Sequence, residues 1–399
     1  MTRRAAHPLQ RKDRLERYRG VRARLDPSGD PLAAMATSYV ELPRSVSSRI
    51  TAELALSPAG SHLLIGGVGS GKTTELLAVQ TQLTEIDEDI RGLYLDVSKQ
   101  HDIARMVPGA IIVQAGLALA GALGNDPALE FATKQLDELA HGYWAAYELD
   151  EGSDDYRVPG ILISPEQVED NVQRALAPLE RLIAALHTTH SHLVVLLDGL
   201  DRMTDMPAFD QLVSHDIKAM TGIGIGVVLV GPLRALYGLD RTMAQRFDSL
   251  HYQPWVDVAQ SPEAHEFLAD VLKRRVPTDV FGEGGIQTLV AASGGVVRDL
   301  LTLAQSACVE AYIDGADQVG PTEVAAAIDT FGRKHLQGLR PPELDILQRV
   351  RTTGSFLHTS EDDLALLMTR RVLEYRDGGP VRYAVHPTIE RLLAELGDR

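Results

Sequence analysis

The stretch SHLLIGGVGSGKTTELL occupies residues 61–77 and decides the fold of the chain. Its first part, His62–Ile65, is apolar and predicts a strand, and the residues from Thr74 onward predict a helix. Between them, Gly66–Thr73 satisfies the pattern G-x-x-x-x-G-K-[ST] in the strand–loop–helix context that a phosphate-binding P-loop requires. The predicted phosphate-binding residues are Gly66, Gly67, Val68, Gly69, Ser70, Gly71, Lys72, Thr73 and Thr74.

The chemistry of a P-loop explains these residue types. Glycines let successive backbone N–H groups turn toward a phosphate chain, and the helix that follows adds its own unpaired N–H groups. Lys72 is predicted to reach the β- and γ-phosphates, and the Thr73 hydroxyl to bind Mg²⁺. The alternative is a glycine-rich turn that matches by chance, which a second half of the site downstream argues against.

That second half is HLVVLLDGLDR, residues 192–202. A continuous β-branched and leucine run predicts a strand buried on both faces. It ends in Asp198, where a carboxylate would hold the Mg²⁺ ion through water. Asp201 stands where a second carboxylate would orient or deprotonate the attacking water. Either aspartate alone could be a helix cap, but together with a P-loop they indicate a nucleotide site.

Composition limits the class of protein. A chain of 399 residues, 44% apolar and 24% charged, predicts a globular protein of two or three domains. The net charge of −16 argues that most of the surface does not bind nucleic acid or an anionic membrane, so any polyanion contact must be local.

A single cysteine, Cys308, lies in an apolar helical stretch, which predicts a buried, inert thiol and a reducing compartment. With no apolar signal region in the first residues, we expect a cytoplasmic protein.

The chain ahead of the P-loop contains a basic segment. Residues 1–35 are rich in arginine and carry Leu15, Tyr18, Val21 and Leu25 at helical spacing, which predicts an amphipathic helix. It would contact a polyanion or partner, or lie solvated against the acidic body, and we favour the second. Tyr39–Arg44 is a candidate for the adenine side of the site.

Five further stretches complete the predicted α/β core of residues 36–258. Arg91–Val97 predicts a strand, and Val107–Gly124 predicts a buried helix in preference to a membrane span. The acidic residues Asp126–Pro165 predict a surface excursion. Gly222–Val230 and Ser249–Gln253 predict the last two strands of a parallel five-stranded sheet.

Three arginines are candidates for phosphate contacts. Arg234 follows the Gly222–Val230 strand and would lie beside the γ-phosphate if that strand sits between the other two motif strands. Arg298 falls in the first turn of a helix, where a cation is slightly unfavourable and an anionic partner is therefore indicated. Arg246, with Arg241 as the neighbouring candidate, is an arginine finger toward another subunit or else a surface arginine.

The remainder predicts a helical lid, residues 259–335, and a last domain, residues 336–399. The last domain has the helix–helix–hairpin order of a winged helix. Its second helix begins with the acidic run Ser360–Asp363, and arginines cluster near the hairpin at Arg370, Arg371, Arg376 and Arg382. We therefore favour a protein-binding wing over one that binds DNA.

The segments GGVGSGKTT, LLDGLDR, VLVGPLR and SGGVVRDLL, followed by this last domain, resemble the AAA+ and STAND ATPases, which include NACHT proteins. The resemblance covers residue 36 to the C-terminus. It implies that Lys72 and Thr73 form the Walker A pair and that Asp198 is the Mg²⁺ aspartate. It also implies that Asp201 is the distal acid, and it puts Arg234 and Arg298 at the sensor 1 and sensor 2 positions.

One departure modifies what the resemblance implies. Ordinary AAA+ proteins place a glutamate after the Walker B aspartate, where this chain has Gly199. We expect a slow ATPase that serves as a STAND-type switch in bacterial signalling or conflict systems, with a protein partner and a homo-oligomer. The alternative is an ATP-dependent DNA-binding loader or a regulator of transposition or replication. The predicted helical lid and winged helix argue against a third function, a small-molecule kinase.

The sequence contains no N-K-x-D motif, the motif that recognises guanine, so we favour adenine as the base of the nucleotide.

Overall fold

The computed structural model describes residues 11–124, 126–149, 152–164, 170–237, 243–376 and 379–397. The chain divides into two compact units. One, the sheet unit, comprises residues 46–65 and 72–252. The other, the helical unit, comprises the residues up to 45, the loop 66–71 and the residues from 253 on.

The bounds of the regular elements follow the chain. The helices are α1 Arg11–Arg24, α2 Pro31–Ser38, α3 Ser47–Leu56, α4 Lys72–Ile86, α5 Val97–Gln100, α6 Ala110–Leu123, α7 Glu130–His141, α8 Asn171–Leu186, α9 Met206–Leu212, α10 Lys218–Gly222, α11 Pro262–Lys273, α12 Gly285–Ala292, α13 Val297–Asp314, α14 Pro321–Leu336, α15 Pro341–Thr353, α16 Glu361–Met368 and α17 Pro387–Gly397. The strands are β1 Ser61–Gly66, β2 Ile90–Asp96, β3 Gly142–Leu149, β4 Gly152–Pro159, β5 His192–Asp198, β6 Gly226–Val230, β7 Ser249–Gln253, β8 Val372–Tyr375 and β9 Arg382–Val385.

The predicted five-stranded sheet is confirmed. Its strand order is β2-β5-β6-β1-β7, and the pairs β2–β5, β5–β6 and β6–β1 are parallel. All residues of β1 and β6 are buried, which explains why their sequences are continuous apolar runs and do not alternate. The position of β6 between β5 and β1 is the arrangement that the interpretation of Arg234 required.

The predicted strand Gly222–Val230 is too long. Residues Lys218–Gly222 form helix α10, and the strand begins only at Gly226. Between them Gly224 has φ +88°, in the left-handed region, which extended strand backbone does not adopt. The apolar character of Ile223 and Ile225 therefore concealed a helix end and a turn.

The acidic stretch after α6 contains more regular structure than the expected surface excursion. Helix α7 buries Ala132, Leu136, Leu139 and Ala140, and an antiparallel hairpin of β3 and β4 follows it. Helix α6 itself packs against α7 and α8, as the buried-helix interpretation predicted. Among the described residues, no helix is both long and apolar enough to span a membrane.

The helical unit has its own apolar core. Residues such as Leu268 and Leu272 of α11 and Leu300 and Ala304 of α13 are fully buried there. Helix α1 lies on α13. The buried residues that it contributes, together with the turn after it, are Tyr18, Val21 and Leu25.

The C-terminal elements α15, α16, β8, β9 and α17 occur in the predicted order. Strands β8 and β9 form an antiparallel pair, and residues 377 and 378 of the predicted hairpin lie outside the described residues. Capping contacts set the ends of the helices. Ser360, for example, accepts a hydrogen bond from the N–H of Asp363 and caps α16. That these elements form a winged helix stays a prediction.

Helix α6 depends on a side chain far from it in sequence. The carboxylate of Asp216 is fully buried and accepts hydrogen bonds from the N–H groups of Gly109, at 2.7 Å, and Ile111, at 2.9 Å. We expect Asp216→Ala to lower the free energy of unfolding by about 3 kcal/mol, because it removes a helix cap and leaves buried donors unpaired. Asp205→Ala is the matched control. Asp205 is an exposed cap of α9, and its loss should cost about 1 kcal/mol. Equal losses in urea unfolding would contradict the burial argument.

Candidate nucleotide site

The loop Gly66–Gly71, the predicted P-loop, turns through two glycines in the left-handed region. Gly69 has φ +79° and Gly71 has φ +97°, both in the left-handed region where a side chain would strain the chain. Gly67 has a different reason to be glycine, since an added Cβ would stand 2.0 Å from the ring of Trp255. The residue types of the motif thus follow from local backbone conformation at two positions and from packing at a third.

Trp255 was not identified from the sequence. Its side chain is 1% exposed, and its indole N–H donates a hydrogen bond of 3.1 Å to the carbonyl oxygen of Val68. Within the helical unit it therefore holds the middle of the loop in place. The sequence offered only the position of this tryptophan, two residues beyond the predicted last strand, and that position belongs to no known motif.

In the sheet unit, four of the predicted site residues come together in two pairs. Lys72 opens α4, and its Nζ lies 3.0 Å from Oδ2 of Asp201. The next residue, Thr73, donates a hydrogen bond of 2.6 Å from Oγ1 to Oδ2 of Asp198. The Thr73 pair joins the start of α4 to the last residue of β5, and the Lys72 pair joins it to the turn that follows β5.

Asp198 is the last residue of β5 and is largely buried. Its carboxylate also accepts hydrogen bonds from the Gly199 N–H, at 2.8 Å, and from the Tyr94 hydroxyl, at 3.1 Å. Burial raises the pKa of Asp198, while the Thr73 hydroxyl works in the opposite direction by stabilising the charge. A cation would relieve this burial cost. The Thr73 hydroxyl and the Asp198 carboxylate are the oxygen donors that Mg²⁺ accepts, so this pair fits the ion.

The structure explains why a glutamate is missing after Asp198. Gly199 has φ +94°, and an added Cβ would stand 2.8 Å from Cβ of Ser98 and 2.9 Å from Oδ1 of Asp96. Both the backbone conformation and the crowding exclude a side chain. Asp201, on the short helical turn Leu200–Arg202, is therefore the acidic residue available beside Lys72.

The three candidate arginines lie in different places. Arg298 is the second residue of α13, and its Cβ is 2.8 Å from where a Cβ of Gly69 would be, so it adjoins the loop within the helical unit. Arg234 is half-buried on the short helix that follows β6. Arg246 forms an ion pair of 2.7 Å with Asp210 and also donates to the hydroxyl of Ser214. Arg241 lies outside the described residues.

A groove in the helical unit involves the segment predicted for the adenine side. Its lining includes Pro43 and Arg44 from that segment and Trp255, Val256 and Ala264 from the chain around the start of α11. Because Trp255 also contacts the loop, the groove adjoins the predicted phosphate-binding loop. The assignment of Tyr39–Arg44 to the base stays a prediction.

The sequence matches no family model and no curated protein. Solved structures resemble the fold. The ORC2 protein of Aeropyrum pernix, solved in ADPNP–ADP complexes, is 15% identical over 94% of this chain and 96% of its own, with a TM-score of 0.52. The ORC1 protein of Aeropyrum pernix, in complex with DNA, is 15% identical with the same coverage and a TM-score of 0.47. The RuvB Holliday junction branch migration motor of Thermotoga maritima is 13% identical over 88% of this chain and 97% of its own, with a TM-score of 0.39.

At this level of identity the similarity shows the fold alone, and that conclusion rests on the ORC2 match. The chain has the predicted fold of a P-loop NTPase, a parallel five-stranded sheet with helices and a helical C-terminal region. The narrower STAND interpretation does not follow from this similarity and stays a prediction.

The crowding at Gly199 gives a stability prediction. We expect Gly199→Ala to lower the free energy of unfolding by about 3 kcal/mol, since the new Cβ adds left-handed strain and steric overlap. Gly222→Ala is the control, because Gly222 ends α10 and an added Cβ there has nothing within 4 Å. The control should be neutral or stabilising by up to about 1 kcal/mol. If urea unfolding shows the two variants to be alike, the steric explanation for the missing glutamate is wrong.

Proposed function

We propose that the chain binds ATP with Mg²⁺, hydrolyses it slowly, and uses the nucleotide to control binding to DNA, as an ATP-dependent DNA loader would. The observation that carries the ATPase part is the joining of the two motif segments, through Lys72 with Asp201 and Thr73 with Asp198. These residues are more than a hundred positions apart in sequence, yet their polar atoms meet at hydrogen-bond distance.

The two pairs suit different steps of hydrolysis. The Lys72 ammonium would leave Asp201 for the β- and γ-phosphates, and the freed Asp201 carboxylate would then orient the attacking water or accept its proton. Thr73 and Asp198 would hold Mg²⁺, which neutralises charge on the phosphate oxygens when bound. With Gly199 in the usual place of the glutamate, Asp201 is the candidate base, and we expect slow turnover.

Within the helical unit, the loop and the residues beside it are proposed to contact the nucleotide. The N–H groups of Gly66–Gly71 would bind the phosphate chain, and Arg298 beside Gly69 would add a positive charge there. Arg234, beyond β6, is proposed as the sensor of the γ-phosphate. The groove at Pro43 and Trp255 would take the adenine. The fold likeness to an ORC2 protein solved with ADPNP and ADP supports an adenine nucleotide.

The role of Asp201 is tested by a conservative substitution. We expect Asp201→Asn to lower the rate of ATP hydrolysis by about 100-fold or more, the usual contribution of a general base, while the Kd for ATP changes by less than about threefold. Asp205→Asn is the control, because Asp205 is exposed and caps α9 and an asparagine caps equally well. A weaker affinity with unchanged turnover would show that Asp201 only positions Lys72.

For the output of the ATPase, we put DNA binding ahead of the signalling switch, which reverses the preference drawn from the sequence. The fold likeness is to an ORC2 protein, and the ORC1 protein of the same organism is described in complex with DNA. A chain with a net charge of −16 needs a local set of uncompensated cations for such a partner. Exposed cations among the described residues are the candidates for such a set.

The arginines near the C-terminal hairpin do not supply it. Arg370 forms an ion pair of 2.8 Å with buried Asp299, and Arg382 forms one of 2.6 Å with buried Asp257. Arg376 pairs with Glu374, and Arg371 donates to backbone carbonyl oxygens. Their charges are thus used inside the helical unit, and the acidic start of α16 adds nothing that attracts phosphate.

Helix α1 is the better candidate. Its inner face is anchored by Tyr18 and Val21, while Arg14 and Arg17 form ion pairs with Asp317 and Asp279. The remaining cations are exposed to solvent, and they are Arg11, Lys12, Arg19, Arg22 and Arg24. An anchored helix with its cations turned outward suits the phosphate backbone of a duplex, because its backbone is already ordered and only the exposed side chains must be fixed on binding.

The helix surface is tested with a double substitution. We expect Arg19→Ala/Arg22→Ala to weaken duplex binding in the presence of ATP by about tenfold at physiological salt and to lower the salt slope by about 2, one unit per lost phosphate contact. The measurement is fluorescence anisotropy over a salt series. Arg333→Ala/Arg391→Ala is the charge-matched control, since both arginines are exposed but paired with Asp329 and Glu395.

Two results would contradict the DNA proposal. One is the absence of ATP-dependent duplex binding by the wild-type chain, which would return the signalling switch and its protein partner to first place. The other is an equal loss in the test and control variants, which would mean a general charge effect. Assembly into a homo-oligomer through Arg246 stays a prediction, and it would require this arginine to leave Asp210.

A further inference from the structure

Three side chains at the start of the sheet converge on one point. His62 is the second residue of β1, His251 lies on the neighbouring strand β7, and Glu53 belongs to α3. All three belong to the sheet unit. Both imidazoles are buried, and the carboxylate is 27% exposed. We call these residues the His–His–Glu cluster.

The distances within the cluster match those between the ligands of a metal ion. Nδ1 of His62 and Nε2 of His251 are 3.2 Å apart, and Oε2 of Glu53 lies 3.6 Å from the first and 3.5 Å from the second. A tetrahedral ion with bonds of about 2.1 Å places its ligand atoms about 3.4 Å apart. The three measured distances between the ligand atoms, 3.2, 3.5 and 3.6 Å, lie close to this value, one below it and two above.

Direct hydrogen bonds leave the cluster incompletely satisfied. One proton between the two rings satisfies both facing nitrogens. Oε2 of Glu53, however, is buried and has no hydrogen-bond partner in the described part of the chain. Its distances to the two rings exceed hydrogen-bond range. A buried carboxylate oxygen facing two imidazoles without a donor is costly, and a cation at the common point would remove that cost.

The protonation states suit a metal ion. Burial lowers the pKa of both histidines, that of His251 to about 4, because it disfavours the charged imidazolium. Burial alone would raise the pKa of Glu53, but hydrogen bonds from Ser249 and Arg49 lower it, so the carboxylate is charged. Neutral imidazole and charged carboxylate are the forms that bind transition metals.

We propose that Glu53, His62 and His251 form a binding site for Zn²⁺ or a similar divalent transition metal ion. Two histidines and a glutamate are a known Zn²⁺ donor set, and the partly exposed side of Glu53 leaves the fourth position to a water molecule. The ion would join α3 to two strands of the sheet. Because β1 rises about 3.3 Å per residue, His62 is roughly 13 Å from Gly66, so this site is separate from the Mg²⁺ site.

The test uses the full-length chain after dialysis against a chelator. We expect one equivalent of Zn²⁺ to bind with a Kd of about 1 μM or tighter against a competing chromophoric chelator. Bound Zn²⁺ should also raise the thermal unfolding midpoint. Co²⁺ in the same site should give the intense visible absorption of tetrahedral coordination. Excess Mg²⁺ should not compete, because it requires six oxygen ligands.

Two variants locate the ion. His251→Gln should weaken Zn²⁺ binding by at least about 100-fold, because loss of a ligand costs no less than loss of an outer partner. Glu53→Gln, at the exposed side of the cluster, should weaken it as well and serves if His251→Gln fails to fold. His141→Gln, at an exposed histidine paired with Asp137, is the control and should bind normally. The proposal is wrong if the wild-type chain binds no Zn²⁺, or if neither cluster variant changes the binding.

Discussion

Parallel pairing of β5, β6 and β1 is the constraint on which the site depends. Strands that run in the same direction end at the same edge of a sheet, so the residues after β5 and those after β1 become neighbours. Thr73 and Asp198 meet for this reason, although β6 separates the two strands. Each parallel pair needs a crossover connection, which accounts for the helices between successive strands and for the burial of β1 and β6 on both faces.

Charge distribution is a second constraint: some arginines form ion pairs with carboxylates, and others stay exposed to solvent. The chain has a net charge of −16, and several arginines of the helical unit, such as Arg370 and Arg382, form ion pairs with its carboxylates. Cations that remain exposed in one place therefore stand out, as they do on α1. Arg14 and Arg17 show how the same helix uses some of its charge to fix its position and leaves the rest to solvent.

Much of the fold was predictable, because its signals are local. Continuous apolar runs predicted β1, β5 and β6, and α6 was recognised as a buried helix. Errors arose where apolar residues served another purpose, as at Gly222–Ile225, where a helix end and a turn at Gly224 took the place of strand. Helix α7 and the β3–β4 hairpin were missed because an acidic composition hid the apolar face formed by Leu136 and Leu139.

The sequence by itself determined the P-loop and the two aspartates, because a glycine-rich turn between strand and helix and an acidic end to a buried strand are set by neighbouring residues. Only the tertiary structure decided that Trp255 holds the loop, that Ser98 and Asp96 exclude a side chain at Gly199, and that His62 faces His251. Those contacts join positions far apart in the chain. They depend on which strands become neighbours and on how closely side chains pack. Neither can be predicted from a local pattern of residues.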